Sequence, residues 1–350
     1  MRKHIPSLNG LRAISILMVI IGHIDQKNLN DFFYSRWPML IDAQLGVNVF
    51  FVISGFLITT LLLQEEAQTQ TISLKSFYIK RSFRIFPIYY TLLGVYLVLQ
   101  LIGLLQFTAQ SWLTALTYTK YLNWHADWEM GHLWSLSIEE QFYLLWPFVF
   151  KFAKRYRMHF AFAIILIVPA LRMLYVKTQY EWMNDLTLFQ RVDAIMWGCV
   201  FAMYHGKLLA FTQRMAAKAK FWLWIPFLAI PTLSALSLIN HHYDMHLGWL
   251  IVPFGNTTGT IADIAIGFII LITIHYSNNI VFKTLNTKPL DYIGKLSYSL
   301  YIWQQLFFST KLGFTDMFPL NVLLIAIVAL VSFYVIEKPF LKLRFKVLPE

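Results

Sequence analysis

The sequence is poor in cysteine and in charge. Cys199 is the only cysteine among 350 residues, which excludes an intrachain disulfide and a cysteine-based metal site. Charged residues make up 13% of the chain and hydrophobic residues 58%, whereas soluble globular domains contain about 25% charged residues. The sequence contains no low-complexity segment and no long polar region. These features exclude an ordinary soluble enzyme and predict an integral membrane protein.

Acidic residues are scarce relative to basic ones. The chain has 29 Lys and Arg against 18 Asp and Glu, and a formal net charge of +11. In a soluble protein such a charge suggests a nucleic-acid partner. In a membrane protein it indicates basic loops on the cytoplasmic side, close to lipid headgroups. We therefore expect contacts with membrane lipids and none with nucleic acid.

Apolar runs of about 20 residues predict transmembrane helices. Ten such runs cover residues 7–24, 44–63, 87–105, 135–150, 159–176, 188–205, 221–239, 259–276, 292–309 and 319–336. The first run has no small-residue cleavage site after it, so it is interpreted as a retained helix and not as a signal peptide. The Trp- and Tyr-rich region 107–134 is ambiguous and is interpreted as an interfacial or re-entrant helix. The predicted fold is therefore an all-α bundle of about ten transmembrane helices.

The basic residues give this bundle an orientation. With the N-terminus inside, 22 Lys and Arg fall in or beside inner loops, and seven fall outside or near outer helix ends. This alternation follows the positive-inside rule and predicts that both termini are cytoplasmic. No internal repeat indicates the two related halves of a transporter. The whole of 1–350 is therefore predicted to be a single membrane domain.

The first apolar run carries two ionisable side chains, Arg12 and His23. They are 11 residues apart, which on one helix places them on nearly the same face and roughly 16 Å apart along the axis. Ionisable groups in a membrane helix usually face a protein interior or a water-filled path and serve a function. The alternative is an Arg that snorkels to the inner interface and a His that caps the outer helix end.

Basic residues also cluster at the inner start of the third span, where Lys80, Arg81 and Arg84 lie. Arg81 and Arg84 are three residues apart and share a helix face. Guanidinium groups bind phosphate in a bidentate manner. The cluster predicts either a site for the phosphates of a nucleotide or coenzyme A, or a topology signal that touches anionic lipids.

Two carboxylates, Glu139 and Glu140, follow Ser137 at the outer start of the fourth span. Acidic residues in the first turn of a helix are favoured by its dipole, which is the simple explanation. A carboxylate beside His23 would also raise the basicity of the imidazole and fix its tautomer. Such a pair activates a hydroxyl for attack on an acyl group.

Arg191 and Asp193 enter the sixth span from the outside. They are two residues apart and do not face each other on a helix, so each needs a different partner. They either anchor the helix at the interface or line the same outer cavity as His23. Asp263, an isolated acid in the eighth span, is a candidate pathway residue without an assigned role.

The ninth span carries Tyr298, Trp303 and Gln304 among other polar and aromatic residues. Small polar groups commonly join helices in bilayers, and a sugar-binding surface is the functional alternative. His242 and His246 have metal-ligand spacing, but they lack the adjacent Glu of an H-E-x-x-H motif. We therefore predict no metal site.

Seven stretches, taken in order, resemble membrane acyltransferase family 3, which includes O-antigen and peptidoglycan O-acyltransferases. They are LNGLRAISILMVIIGH, GVNVFFVISGFLIT, FYIKRSFRIFPIYY, LWSLSIEEQFYLLWP, RVDAIMWG, IGKLSYSLYIWQ and IEKPF, and they run from residue 8 to residue 340. Each motif alone is unspecific, whereas the ordered set is highly specific.

The resemblance implies that an acyl group, most often acetyl, moves from cytosolic acyl-CoA to a hydroxyl of a cell-surface or exported carbohydrate. It also implies a multi-pass protein of the bacterial inner membrane. Many members have a His where this chain has Gln304, and a Gln can orient a substrate by hydrogen bonds but cannot act as a base. Some members carry an extra extracytoplasmic esterase-like domain, which we expect to be absent here because the chain ends soon after IEKPF.

The family's Arg–ten residues–His, R-x-x-R and S-x-E motifs fall on Arg12 and His23, on Arg81 and Arg84, and on Ser137 and Glu139. The predicted catalytic residues are His23, Glu139 and Glu140. The predicted acetyl-CoA-binding residues are Arg12, Lys80, Arg81 and Arg84. The predicted acceptor-binding residues are Ser137, Arg191, Asp193, Tyr298, Trp303 and Gln304. His23 either deprotonates the acceptor hydroxyl or first takes the acyl group itself.

Two other functions remain open at this point. Intramembrane Arg, His and Asp residues also suit a proton-coupled transporter or flippase of a glycan or acyl intermediate. A non-catalytic scaffold in a glycan-synthesis complex is the third possibility. The sequence does not identify the acceptor, the acylated position or the oligomeric state.

Overall fold

The computed structural model describes residues 5–24, 43–123, 126–178, 187–242, 259–313 and 317–347, and contains no β-strand within them. Four short 3₁₀ helices are also present in these ranges. The α-helices of the described residues are α1 (Leu8–His23), α2 (Ala43–Thr69), α3 (Leu74–Leu101), α4 (Ala109–Leu116), α5 (Trp128–Gly131), α6 (Leu133–Phe152), α7 (Arg157–Thr178), α8 (Thr187–Met203), α9 (His205–Lys218), α10 (Ile225–His242), α11 (Thr260–His275), α12 (Ile280–Leu285), α13 (Lys288–Phe307), α14 (Leu320–Ser332) and α15 (Lys338–Val347).

Helices occupy all ten predicted apolar runs, which confirms the all-α class. Four helical segments within the described ranges are long and apolar enough to cross a membrane, and they are Ala43–Thr69, Leu74–Leu101, Lys154–Leu174 and Leu320–Arg344. The bent pair Arg191–Met203 and His205–Lys218 would make a fifth if counted as one span. The number of ten spans and the cytoplasmic termini stay predictions.

Length and polarity explain why fewer helices meet these criteria than the sequence predicts. Helices α1 and α11 have 16 residues each and are therefore about 24 Å long, shorter than a hydrocarbon core of about 30 Å. Helix α6 carries Glu139, Glu140 and Lys151. The ambiguous region 107–134 contains the short helices α4 and α5 and the 3₁₀ helix Lys120–Asn123, and no spanning helix among its described residues.

The chain divides into two compact units. The first comprises the described parts of 1–22, 32–70 and 149–295, and the second those of 23–31, 71–148 and 296–350. In the first unit, α2 and α8 pack backbone against backbone through two glycines. A Cβ added to Gly55 would lie 1.9 Å from the carbonyl oxygen of Ile195, and one added to Gly198 would lie 2.1 Å from that of Val52. The close approach of α2 and α8 therefore requires glycine at both positions.

We expect Gly198→Ala to lower the unfolding temperature of the purified protein in detergent. The methyl group would collide with a backbone carbonyl that cannot move without separating two helices, and overpacking of this kind costs about 1–3 kcal/mol. Gly94→Ala is the matched control, because it lies inside α3 with nothing within 4 Å of an added Cβ. Alanine there should leave the unfolding temperature unchanged or raise it. Equal melting of both variants would contradict the close α2–α8 packing.

In the second unit, tyrosine hydroxyls of α3 hold the segment that precedes α6. Tyr89 Oη donates to the carbonyl oxygen of Ala115 at 2.7 Å, and Tyr96 Oη donates to that of Glu129 at 2.6 Å. Both tyrosine side chains are fully buried. Since the bonds reach backbone acceptors, they fix the path of this segment along α3 whatever its side chains are.

A π-helical turn interrupts the last long helix of the second unit. Residues Phe333–Glu337 form this turn between α14 and α15. Its final residue, Glu337, is buried and accepts a hydrogen bond of 3.0 Å from the Ser299 hydroxyl of α13. Isolated π-turns inside α-helices frequently occur at functional sites. Here the turn places the Glu337 carboxylate against α13, the helix that carries Tyr298, Trp303 and Gln304.

Candidate active site

His23 closes α1 and belongs to the second unit, whereas Arg12 of the same helix belongs to the first. The half-buried His23 ring meets Trp128 of α5 in a T-shaped arrangement, with ring centroids 5.7 Å apart. His23 also interacts electrostatically with a second histidine, His132. The second unit thus brings two imidazoles into one neighbourhood.

His132 lies between α5 and α6 and is held by α13. Its backbone N–H donates to Gln305 Oε1 at 2.6 Å, its ring Nδ1 lies 2.6 Å from the same oxygen, and its Nε2 lies 3.1 Å from the carbonyl oxygen of Ile302. The side chain is 3% exposed. Each polar atom of the ring therefore has a fixed partner on one turn of α13.

The state of the His132 ring follows from this environment. Burial lowers the pKa of His132 to about 4, so the ring is neutral at neutral pH. A neutral imidazole donates from only one nitrogen, yet both nitrogens of His132 face acceptor oxygens. Uptake of a proton would add a second hydrogen bond. The lowered pKa nevertheless makes His132 a weak base, so its neutral ring serves to hold this segment against α13.

Hydroxyl groups complete the network around His132. Tyr301 Oη lies 2.5 Å from Ser135 Oγ. Both hydroxyls are within hydrogen-bond distance of the carbonyl oxygen of His132, Tyr301 at 3.2 Å and Ser135 at 3.1 Å. The start of α6 is thereby joined to α13 by side chains that are all buried.

Arg81 and the two predicted catalytic carboxylates also come together in the second unit. The Arg81 guanidinium lies over the ring of Tyr143, with its Cζ 4.4 Å from the centroid. It interacts electrostatically with Glu140 and Glu139, and also with Arg84. Glu140 also interacts electrostatically with the phenols of three tyrosines, Tyr89, Tyr118 and Tyr298.

The pairing of Arg81 with Glu140 joins two groups of residues that the sequence assigned to opposite ends of helices. Arg81 lies two turns into α3 and Glu140 two turns into α6. A half-buried cation next to carboxylates is stabilised by them, so Arg81 has a role besides any contact with a phosphate.

Ser137 has its hydroxyl engaged within the protein. It accepts a hydrogen bond of 3.2 Å from the backbone N–H of Lys120 and donates one of 2.9 Å to the carbonyl oxygen of Leu133. Lys120 is fully buried and pairs with Asp127 at 3.3 Å. Burial lowers the pKa of Lys120, and the Asp127 carboxylate opposes that shift. These contacts tie the segment before α5 to α6; the predicted binding of acceptor by Ser137 stays a prediction.

In the first unit, Arg191 and Asp193 have different hydrogen-bond partners, as their spacing predicts. The Asp193 carboxylate pairs with Arg172 of α7, and Arg191 Nη2 donates to Gln44 Oε1 at 2.5 Å. Asp263 of α11, which also interacts electrostatically with Asp193, accepts a hydrogen bond from the Asn48 amide. The cluster joins α2, α7, α8 and α11. It accounts for Asp193 structurally, and the predicted contacts of Arg191 and Asp193 with the acceptor stay predictions.

The remaining predicted residues are distributed as follows. Tyr298 Oη donates to the carbonyl oxygen of Ile85 at 3.0 Å. Trp303 and Gln304 are buried in α13. Lys80 and Arg84 lie in the first turns of α3, on either side of Arg81, and are half-buried.

Sequence reasoning did not predict His132 or Gln305 as functional residues, and it noted Tyr301 only as one of the polar and aromatic residues of the ninth span. His132 lies in the stretch that carries the two glutamates, and Gln305 directly follows Gln304, but their partners are more than 165 residues away along the chain. No group of three or more potential metal ligands occurs among the described residues. His246 of the discounted histidine pair lies outside the described residues.

Comparisons with known proteins agree with the family motifs. The chain is 31% identical over 370 residues to the O-acetyltransferase OatA of Staphylococcus aureus strain NCTC 8325 / PS 47, and the match covers 98% of this chain and 58% of that protein. OatA of strain COL matches equally. The chain therefore spans less than two thirds of the length of these relatives. No solved structure matches the chain significantly. The sequence profile of the acyltransferase domain family matches residues 5–338, and the chain belongs to this family.

Proposed function

We propose that the protein transfers an acetyl group from acetyl-CoA to a hydroxyl group of a carbohydrate at the bacterial cytoplasmic (inner) membrane. The observation that carries the proposal is the set of groups in the second unit, where His23 neighbours His132 while Arg81 neighbours Glu139 and Glu140. Imidazoles and carboxylates supply the acid–base catalysis that acyl transfer needs. Membership of the acyltransferase family supports the same reaction and disfavours the transporter alternative.

His23 acts on the acceptor in this mechanism. Its imidazole removes the proton from the acceptor hydroxyl, and the hydroxyl oxygen attacks the thioester carbonyl carbon. The tetrahedral intermediate then collapses, the carbon–sulfur bond breaks, and the leaving thiolate takes the proton from His23. Glu139 or Glu140 stabilises the charged imidazole. A second route begins with attack of the His23 nitrogen on the thioester, which breaks the carbon–sulfur bond, releases the CoA thiolate and leaves an acyl-imidazole. The acceptor hydroxyl then attacks the acyl carbon, the carbon–nitrogen bond breaks, and the hydroxyl proton passes to the released imidazole.

The phosphates of the donor are assigned to the basic residues at the inner ends of the helices. Lys80 and Arg84 flank Arg81 on α3. We assign the donor phosphates mainly to these two cations. Arg81 already interacts with Glu140 and therefore links the donor site to the carboxylates. Arg12, on α1 with His23, is the fourth cation in the proposal.

A donor comparison with the purified protein in nanodiscs tests this function. We expect transfer of radiolabelled acetyl from acetyl-CoA to a cell-wall oligosaccharide, and a much higher KM for acetyl-pantetheine, which lacks the nucleotide phosphates. Arg84→Gln should raise the KM for acetyl-CoA and leave that for acetyl-pantetheine unchanged. Absence of transfer, of acetyl-CoA hydrolysis and of acetyl-CoA binding by folded protein would refute the acetyl-CoA assignment, and longer acyl donors would then be tried.

A further inference from the structure

Two consecutive glutamines of α13 have opposite hydrogen-bonding states. Gln305 Oε1 accepts from the backbone of His132 and meets its ring. Gln304 is fully buried, and neither its Oε1 nor its Nε2 has a hydrogen-bond partner among the described residues. The side chain next to it, Trp303, is also buried, and its indole N–H has no partner in the same part of the chain.

The lack of hydrogen-bond partners at the buried Gln304 amide destabilises the folded protein. A buried polar group without a partner costs about 1–3 kcal/mol, and native proteins retain few of them. The rest of α13 has no such defect in its side-chain hydroxyls, since Tyr298, Ser299 and Tyr301 all have partners. The Gln304 amide, with two unpartnered polar atoms, therefore contrasts with these hydroxyls and shares its state with the adjacent Trp303 N–H. This contrast points to a ligand that supplies the missing hydrogen bonds.

The position of Gln304 connects it to the candidate active site. It lies three residues after Tyr301 and one before Gln305, in the helical turn that holds His132. His132 in turn interacts with His23. A ligand that reaches Gln304 would thus lie along the turn of α13 that holds His132, the neighbour of the predicted base His23. Because Gln304 is fully buried, neighbouring side chains must move to admit this ligand.

The chemistry of a primary amide restricts the ligand. One edge of the Gln304 amide presents an acceptor oxygen and a donor NH₂ side by side, without net charge. A phosphate or carboxylate would leave the Oε1 acceptor unsatisfied. Two neighbouring hydroxyls match the edge, because one can donate to Oε1 while the other accepts from Nε2.

We propose that Gln304 binds a pair of adjacent hydroxyls on the acceptor, so that the enzyme selects acceptors with a diol beside the acylated position. This inference rests on the proposed function, because it concerns the acceptor of that reaction. The amide costs stability while unoccupied, and the acceptor satisfies it. Gln304 is therefore a specificity-determining residue and does not exchange protons.

Gln304→Leu separates a ligand-binding amide from a structural one. Leucine keeps a similar volume and removes both polar groups, so the unfolding temperature of the protein without ligand should rise. The KM for the carbohydrate should rise about tenfold, as expected for two lost hydrogen bonds, and the KM for acetyl-CoA should stay constant. Gln110→Leu, at an exposed position of α4, is the control and should leave both KM values unchanged.

Thermal unfolding with a simple sugar tests the binding site without the reaction. Methyl glucoside should raise the unfolding temperature of the wild type more than its deoxy analogues do, and should have no effect on Gln304→Leu. If this shift occurs without any acetyl transfer, the proposed function fails and the diol site stands. If transfer occurs but the variant melts at a lower temperature, or its donor KM changes and its acceptor KM does not, the inference is overturned.

Discussion

Replacing His23 by alanine should reduce acetyl transfer at least about 100-fold while leaving the protein folded. General acid–base catalysis contributes about 10²–10⁴-fold to a rate, and loss of a covalent intermediate would cost at least as much. His23 is half-buried at the end of α1, and its described ring contact is with Trp128. Its removal should therefore affect chemistry more than packing. The measurement is the initial rate of radiolabelled acetyl transfer in nanodiscs, alongside the unfolding temperature.

His159→Ala provides the matched control for this variant. His159 is exposed in α7 of the first unit, where its ring contacts Tyr156 at 6.0 Å, and its loss should not change the rate. Incubation with labelled acetyl-CoA in the absence of acceptor then separates the two routes. A label on the wild type that is missing from His23→Ala indicates an acyl-imidazole, whereas His23-dependent hydrolysis without a label indicates a general base. Full activity of His23→Ala would remove His23 from the mechanism.

The second large effect is expected at the pair formed by Arg81 and Glu140. Arg81→Gln removes the positive charge that interacts with the Glu139 and Glu140 carboxylates. Glu140→Gln removes one negative charge that interacts with the Arg81 guanidinium. Arg81 and Glu140 are half-buried and interact electrostatically, so we expect each single loss to be about 1 kcal/mol. Both single variants should unfold at a lower temperature and transfer acetyl more slowly than the wild type.

A double-mutant cycle determines whether the two side chains act as a pair. Arg81→Gln combined with Glu140→Gln removes both charges, so the double variant should lose less stability than the sum of the single losses. Lys151→Gln, an exposed cation at the end of α6, is the control and should combine with Glu140→Gln additively. Additive losses for Arg81 and Glu140 would show that they do not interact in the folded protein.

The sequence predicted helix positions better than side-chain neighbours. All ten apolar runs contain helices, because the need to bury backbone polar groups in an apolar environment leaves helix as the main solution for such runs. The spacing of Arg191 and Asp193 also predicted that they have separate partners. These predictions depend on local chain geometry, which a single sequence contains.

The neighbours of the candidate site depend on contacts between distant segments. His132 and Gln305 are 173 residues apart in the chain, and no local pattern joins them. The assignment of helix ends to inner and outer groups also concealed the electrostatic interaction of Arg81 with Glu140, because both residues lie about two turns inside their helices. Gln304 was noted as a departure from the family pattern, but its unpartnered amide became visible only once the surrounding helices were placed.

The π-helical turn at Phe333–Glu337 has a consequence for comparing this chain with its relatives. A π-turn arises when one extra residue enters an α-helix, so everything after it is rotated by about 100° relative to an uninterrupted helix. Removal of one residue from the turn would carry Glu337 away from Ser299, although the helix would look more regular. A gap-free alignment to a relative without the turn would therefore match Glu337 to a residue on a different helix face. Whether a relative has an equivalent of the buried Glu337 carboxylate must therefore be decided from its structure. A Glu in the same column of a sequence alignment does not establish it.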